Sequence, residues 1–365
     1  KESEWDAKEQ KVKKSHPNSA RLNNFLIKKR AEASDKAIEL ESDKSHVSSR
    51  AVKHKLKSVG GGKFFEQATL YLETLKKLGK HNQYSANKPR INRFSEFLKD
   101  RDVTFSEITV PLLERFKIHL KTTRTRNHTK TDTIKPITDR TVINHLATIR
   151  SVFSFAIKSG ATEKHHSPFG SDKIVIKFPE TNKIGLTAEE VNKLEKLDLQ
   201  VGSTMDYARD LWLFSFYFAG MRVSDVLRLK WSDFQNGRLY YTMGKNDKTG
   251  SLKVPEKAQA ILDKYKVLEN NHKLVFPDLA SLPDLENSFQ VQRKIASVIR
   301  KVDVSLHRVA ADAKIDKPLT MHIARHTFGN LSGDAIPIQM LQKLYRHSSV
   351  ITTIGYQNNF IHKDI

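Results

Sequence analysis

Between residues 64 and 159, apolar side chains recur three and four positions apart in four successive runs. That spacing puts one face of each run into a core and leaves a helical bundle as the natural solution for this part of the chain. Phe65, Ala68, Tyr71, Leu72 and Leu75 mark the first run, over 64–78, and Ile91, Phe94 and Phe97 mark the second, over 86–98. The third opens at Thr109-Val110-Pro111, with proline in the first turn, where a missing N–H costs no helical bond, and continues through Leu112, Leu113, Phe116 and Leu120. The fourth, over 138–159, carries Val142, Leu146, Ile149, Val152, Phe153 and Ala156. Between the third and fourth, 121–135 is polar and basic and is predicted to be a loop or flexible hairpin.

A chain of 365 residues is longer than one ordinary core spans, so two or three domains are expected. Gly60-Gly61-Gly62 is the clearest linker. Ahead of it, Glu4-Trp5-Asp6 and Lys11-Val12-Lys13-Lys14 suggest the end of a small β-rich unit. Leu22, Phe25, Leu26, Ala31 and Ala37 then allow a helix from Ser19 to about Leu56 with few core contacts. Beyond the bundle, His165 to Phe169 begins an extended connector that ends at Thr187-Ala188-Glu189-Glu190, a helix-capping box. Residues 206–218, rich in Trp212, Phe214, Phe216 and Phe218, predict a deeply buried helix, and 237–254 reads as strand, turn over 244–250, and strand. The resulting expectation is a mainly α fold with a small β-hairpin or sheet in its last domain. Its parts are 1–59, the remnant of an N-terminal region with a linker helix, 60–165, a helical bundle, 166–186, a connector, and 187–365, a second domain.

Cysteine is absent, which excludes disulfides, zinc–thiolate sites and thiol catalysis. The longest strongly apolar stretch, 211–221, is far short of a membrane span, and no signal peptide opens the chain, so a cytoplasmic, nucleoid-associated protein is expected. The chain begins at Lys1 without a methionine, and further sequence upstream is expected. A formal net charge of +22 suits a polyanion binder. Residues 60–160 hold 19 Lys and Arg against 9 Asp and Glu, a net +10, so the bundle is the densest cationic region. Arg124, Arg126, Lys130 and Arg140 are its candidate phosphate contacts.

The chemistry-bearing residues lie later. Cleaving a phosphodiester without a metal requires a nucleophile, cations on the non-bridging oxygens, and an acid for the leaving oxygen. Arginine suits the second task, because its guanidinium stays charged and meets two oxygens with a planar fork. Arg222 follows Ala219-Gly220-Met221, with Asp225 one helical turn on and able to brace a cation. His322 and Arg325 share one helix face at i and i+3, and His326 adjoins them. His347 opens His347-Ser348-Ser349, and Tyr356 follows nine residues later.

This ordered set resembles the tyrosine recombinase (phage integrase) family, over about residues 187–357, and the helical module before it is similar to that family's core-binding domain. The resemblance places the first catalytic arginine at Arg222, the His-x-x-Arg box at His322 and Arg325, the downstream histidine at His347 and the nucleophile at Tyr356. Asp225 and His326 take supporting positions, and Arg346 stands where the family usually has glycine. The family's hairpin lysine best matches Lys248, with Lys245 close by as the alternative. The resemblance implies attack by Tyr356 on a scissile phosphate, giving a 3′-phosphotyrosyl bond and a free 5′ hydroxyl. His322 acts as proton acceptor, His347 donates to the phosphate, Lys248 protonates the leaving oxygen, and Arg222 and Arg325 stabilise the charge. It implies no cofactor and no metal. The expected partners are double-stranded DNA held in a clamp, further copies of the chain in a tetrameric synapse, and a host DNA-bending protein, with no membrane. The first 59 residues resemble the junction after an arm-site-binding domain, as in integrases of mobile elements. Two other functions use overlapping features. A type IB topoisomerase would relax DNA without exchanging partners, and a non-catalytic DNA-binding regulator would keep only the fold.

Overall fold

The computed structural model describes residues 4–42, 62–122, 137–179, 184–244, 248–333 and 335–357. The chain divides into two compact units, Lys1–Glu180 and Thr181–Ile365. The architecture is mainly helical, with one small antiparallel sheet in each unit. No described helix is long and apolar enough to cross a membrane.

The first unit opens with a hairpin of β1 (Trp5–Asp6) and β2 (Lys11–Val12). Asp6 shapes the turn by accepting the N–H groups of Lys8 and Glu9 at 3.0 Å each. Helix α1 (Ser19–Ser42) is tied to the hairpin through Asn23, whose amide both accepts from and donates to the Val12 backbone, at 2.7 and 2.9 Å. The remainder of the helix expected to reach residue 56, and the first two linker glycines, lie outside the described residues.

The bundle comprises α2 (Phe64–Lys77), α3 (His81–Phe97), α4 (Val110–Thr122) and α5 (Asp139–Lys158). Phe64, Phe94, Phe105, Phe116 and Phe153 are fully buried at its centre, and their rings meet edge to face at 4.8–5.5 Å. Helix α3 begins five residues earlier than its apolar pattern predicts and continues through Pro89. Proline there removes one helical bond, a loss tertiary bonds on the preceding turns offset. Asn87 donates to the Tyr71 hydroxyl at 3.0 Å and accepts from the buried Thr148 hydroxyl at 3.0 Å. Along the expected connector, Ile174 is buried in this same core, and Phe169 packs against it.

In the second unit, α6 (Ala188–Lys196) starts at the expected capping box. Thr187 accepts the Glu190 N–H at 3.2 Å, and Glu190 accepts the Thr187 N–H at 2.7 Å. Next come α7 (Thr204–Tyr217), the short α8 (Val223–Val226), and a three-stranded antiparallel sheet of β3 (Phe234–Gln235), β4 (Arg238–Met243) and β5 (Lys248–Lys253). The expected turn over 244–250 is therefore shorter, because Lys248, Thr249 and Gly250 pair with Met243, Thr242 and Tyr241. Helices α9 (Glu256–Tyr265), α10 (Ser288–Asp312), α11 (Met321–Leu331), α12 (Ile338–Tyr345) and α13 (Val350–Gln357) complete the unit. Buried Trp212 and Phe214 make α7 its centre, with α9, α10 and α11 packed around it. Its first turns also hold an ion cluster, in which Lys264 reaches the buried carboxylates of Asp206 and Asp210 at 2.6 Å each.

Candidate active site

Helix α7 ends by presenting Arg222. Ala219 and Gly220 both take left-handed backbone angles, φ 56° and 65°, which reverse the chain. The buried Ser215 then grips Met221 from both sides: its hydroxyl donates to the Met221 carbonyl at 2.6 Å, and its carbonyl accepts the Met221 N–H at 3.0 Å. Arg222 follows as the residue capping α8. Glycine is needed at 220 for a second reason, since a Cβ there would lie 2.6 Å from the Cα of Arg325.

Arg325, on α11, is 3% exposed. A charge buried that deeply must be satisfied locally. Its Nη1 donates to the Gly220 carbonyl at 2.9 Å, and its Nη2 donates to the Tyr345 carbonyl at 3.0 Å. The guanidinium also lies 3.7 Å from the centroid of the Tyr345 ring, and the Tyr345 hydroxyl donates back to the Arg325 carbonyl. One side chain thus joins sequence segments 105 and 20 residues away. Two of its five donors are used on those carbonyls, which fixes the direction of the others.

Asp225 is buried beside this arrangement, and its Oδ1 accepts the Gly244 N–H at 3.2 Å. Burial pushes its carboxyl above the ordinary range, opposed by the Gly244 bond and by the charges of Arg222, Arg228 and Arg325. Arg222 and Arg325 bear on Tyr241 as well, although burial dominates and raises that phenol. The structure therefore brings Arg222, Asp225 and Arg325 into one electrostatic neighbourhood. His322 is exposed on α11, and its ring meets that of His326 edge-on at 4.6 Å.

After α12 the chain turns at Arg346, which has a left-handed φ of 53°. The Arg346 N–H bonds Lys343 and the His347 N–H bonds Gln342, both at 3.1 Å, the pattern of a helix-ending turn that usually employs glycine. Arginine there costs about 1 kcal/mol in backbone strain. His347 Nδ1 is 3.0 Å from the buried Thr353 hydroxyl on α13, and its ring stands edge-on to Tyr345 at 5.3 Å. The Arg346 guanidinium lies 4.3 Å from the Tyr241 ring centroid, beside an open groove of about 720 Å³ lined by Thr249, Gly250, Ser251 and His347 among others.

Lys248 opens β5 and Tyr356 lies in α13; the side chains of both are outside the described set, as are Lys245, Arg124, Arg126 and Lys130 entirely. Arg140 is exposed at the start of α5, where it donates to the Pro179 carbonyl at 3.4 Å and lies 5.5 Å from the Phe178 ring centroid. Those contacts hold it against its own unit's chain. Sequence reasoning missed Tyr345, Ser215, Thr353 and Tyr241. Tyr345 stood next to the expected His347 segment, but nothing local signalled that its ring lies against a guanidinium.

Three family models match the chain: an arm DNA-binding domain over residues 1–53, a phage integrase SAM-like domain over 63–174, and the phage integrase family over 185–362. Tyrosine recombinase XerD of Listeria innocua serovar 6a is 26% identical over 223 residues, covering 60% of this chain and 71% of the relative. A lambda integrase tetramer bound to a Holliday junction is similar in fold, with a TM-score of 0.55 at 17% identity, covering 97% of this chain and 91% of that one. The Tn1549 transposon integrase in complex with a circular intermediate DNA gives a TM-score of 0.55 at 15% identity over 80% of this chain and 94% of that one.

Proposed function

The chain belongs to the phage integrase family, the tyrosine recombinases, and on that premise we propose that it integrates or excises a mobile DNA element through a 3′-phosphotyrosyl intermediate on Tyr356. The observation that carries this reading is the seat of Arg325, whose guanidinium joins the Arg222 loop to the His347 turn. A cation fixed in this way is preorganised for charge that develops on a phosphate and needs no rearrangement when that charge appears.

On this reading the Tyr356 phenol oxygen attacks the scissile phosphorus, and the bond to the 5′ oxygen breaks. A phenol near pKa 10 must lose its proton as it attacks, and His322 receives it. Lys248 gives a proton to the departing 5′ oxygen. Arg222 and Arg325 hold the non-bridging oxygens. In the His347 tautomer whose Nδ1 accepts from the Thr353 hydroxyl, Nε2 carries the proton and donates to the same phosphate. The phosphotyrosyl bond conserves the energy of the original linkage, so a 5′ hydroxyl from another duplex can attack it and restore DNA. Asp225 keeps the two arginines near one carboxylate.

DNA is the partner in this account, gripped by the helical bundle at core sites and by the segment matched to the arm DNA-binding model at further sites. Exchange between two duplexes requires four cleaving protomers, and lambda integrase, similar in fold, is a tetramer on a Holliday junction. The test uses supercoiled plasmids carrying two copies of a DNA site recovered by its covalent attachment to the chain. Site-dependent inversion or deletion between the copies is the expected product. Processive relaxation with no exchange would instead support a topoisomerase, and binding with no strand passage would support a regulator.

A further inference from the structure

Three consecutive residues, Tyr345, Arg346 and His347, engage three different parts of the site. Tyr345 seats Arg325 through its carbonyl, its ring and its hydroxyl. His347 meets Thr353 on α13, the helix that carries Tyr356. Arg346, between them, reaches the β4–β5 hairpin. Its guanidinium faces the Tyr241 ring at 4.3 Å, and its Nη2 donates to the Tyr241 carbonyl at 3.5 Å.

Tyr241 and Gly250 are cross-strand partners in that hairpin, and the guanidinium lies over the pair. A Cβ on Gly250 would come within 2.8 Å of Arg346 Nη2, the far end of a flexible side chain, so the guanidinium packs directly on the strand backbone at Gly250. Lys248 lies two residues earlier in the same strand. Arg346 meanwhile occupies a left-handed position where glycine would be unstrained. Backbone strain at residue 346, together with the ring and carbonyl contacts at Tyr241, marks a contact made by that side chain.

We propose that Arg346 is a positioning residue that locks the Lys248 hairpin to the His347 turn, setting the general acid opposite the leaving 5′ oxygen. The proposal rests on the recombinase reading above. It assigns Arg346 a role in leaving-group protonation, with no contact to the reacting atoms. Lysine is not an equivalent, since an ammonium lacks the planar fork with which Arg346 reaches the Tyr241 ring and carbonyl together.

The experiment follows covalent adduct formation by the full chain on two duplexes carrying the sequence captured by the unaltered protein. One is ordinary DNA, and the other has sulfur in place of the bridging 5′ oxygen at the scissile phosphate. With sulfur, the Tyr356 oxygen bonds to phosphorus, the P–S bond breaks, and the thiolate departs without needing a proton. Loss of general-acid help costs roughly 10²-fold or more. Arg346→Gly, which also relieves the backbone strain, should therefore slow adduct formation roughly 10²-fold on ordinary DNA and leave the sulfur substrate close to the unaltered rate. Lys248→Ala should show the same selectivity. Arg346→Lys should not rescue. Equal slowing on both substrates, or rescue by lysine, would show Arg346 acting as a phosphate contact and overturn the proposal. If the unaltered chain captures no DNA covalently, so that no such duplex can be made, the recombinase reading fails and takes this role with it.

Discussion

Arg325 shows how much one buried cation asks of its surroundings. With 3% of its surface exposed, it depends on the Gly220 and Tyr345 carbonyls and on the Tyr345 ring. Removing one partner of such a charge is costly because the charge stays behind. Gly220 is the most sensitive of these positions, because the obstacle to a larger residue is backbone, which cannot swing aside. Gly220→Ala adds left-handed strain to a clash with the Arg325 Cα. The expected loss is about 2–4 kcal/mol of stability, together with slower cleavage. Denaturant unfolding of the variant beside the parent measures it, and an unchanged midpoint would show that the loop can shift without disturbing Arg325.

At the scale of elements, the bundle contains a titrating group that no functional argument requires. His145, on α5, is held down to about 4 by burial first and by the Arg90 charge second. An unfolded imidazole titrates near 6.5. Between about pH 6.5 and 4 the unfolded chain therefore binds a proton that folded His145 does not. Its contribution is complete above that window and lost as pH falls through it, by at most about 3 kcal/mol. His145→Gln should flatten that part of the stability–pH curve, read as the difference in unfolding free energy between parent and variant at pH 7 and pH 4.5. A difference that stays constant with pH would place the imidazole in water.

The bundle helices were legible because each buries one stripe, and stripes are local patterns. What the sequence hid depended on distant partners. The apolar pattern over 86–98 missed the first five residues of α3, whose polar turn is held by Asn87 bonds to Tyr71 and Thr148 from other helices. Gly250 looked like part of a turn, whereas it is a strand residue with a guanidinium packed on it from residue 346. The Arg222, His322–Arg325 and His347 segments could be picked out as motifs. Their meeting at Arg325 could not, because it spans 105 residues and runs through the unremarked Tyr345.

For the molecule as a whole, a net charge of +22 is the dominant long-range feature. Binding to DNA by such a surface releases condensed counterions, so affinity falls steeply with salt. An expected loss of roughly 10³-fold or more between 50 and 200 mM salt corresponds to a grip on several phosphates. A fluorescence anisotropy titration across that range gives the slope, and a shallow slope would mean that the cations face water.

The central claim is that this charge delivers DNA to a phenol nucleophile at Tyr356. Covalent capture tests it most directly. Fragmented, randomly nicked host DNA is incubated with the unaltered chain and with Tyr356→Phe, the mixture is denatured, and DNA still attached to protein is recovered and mapped by mass spectrometry. The expected result is attachment through Tyr356 in the unaltered chain, none in the variant, and equal DNA binding by both. Attachment that persists in Tyr356→Phe, or tight binding with no attachment in either, would contradict the account.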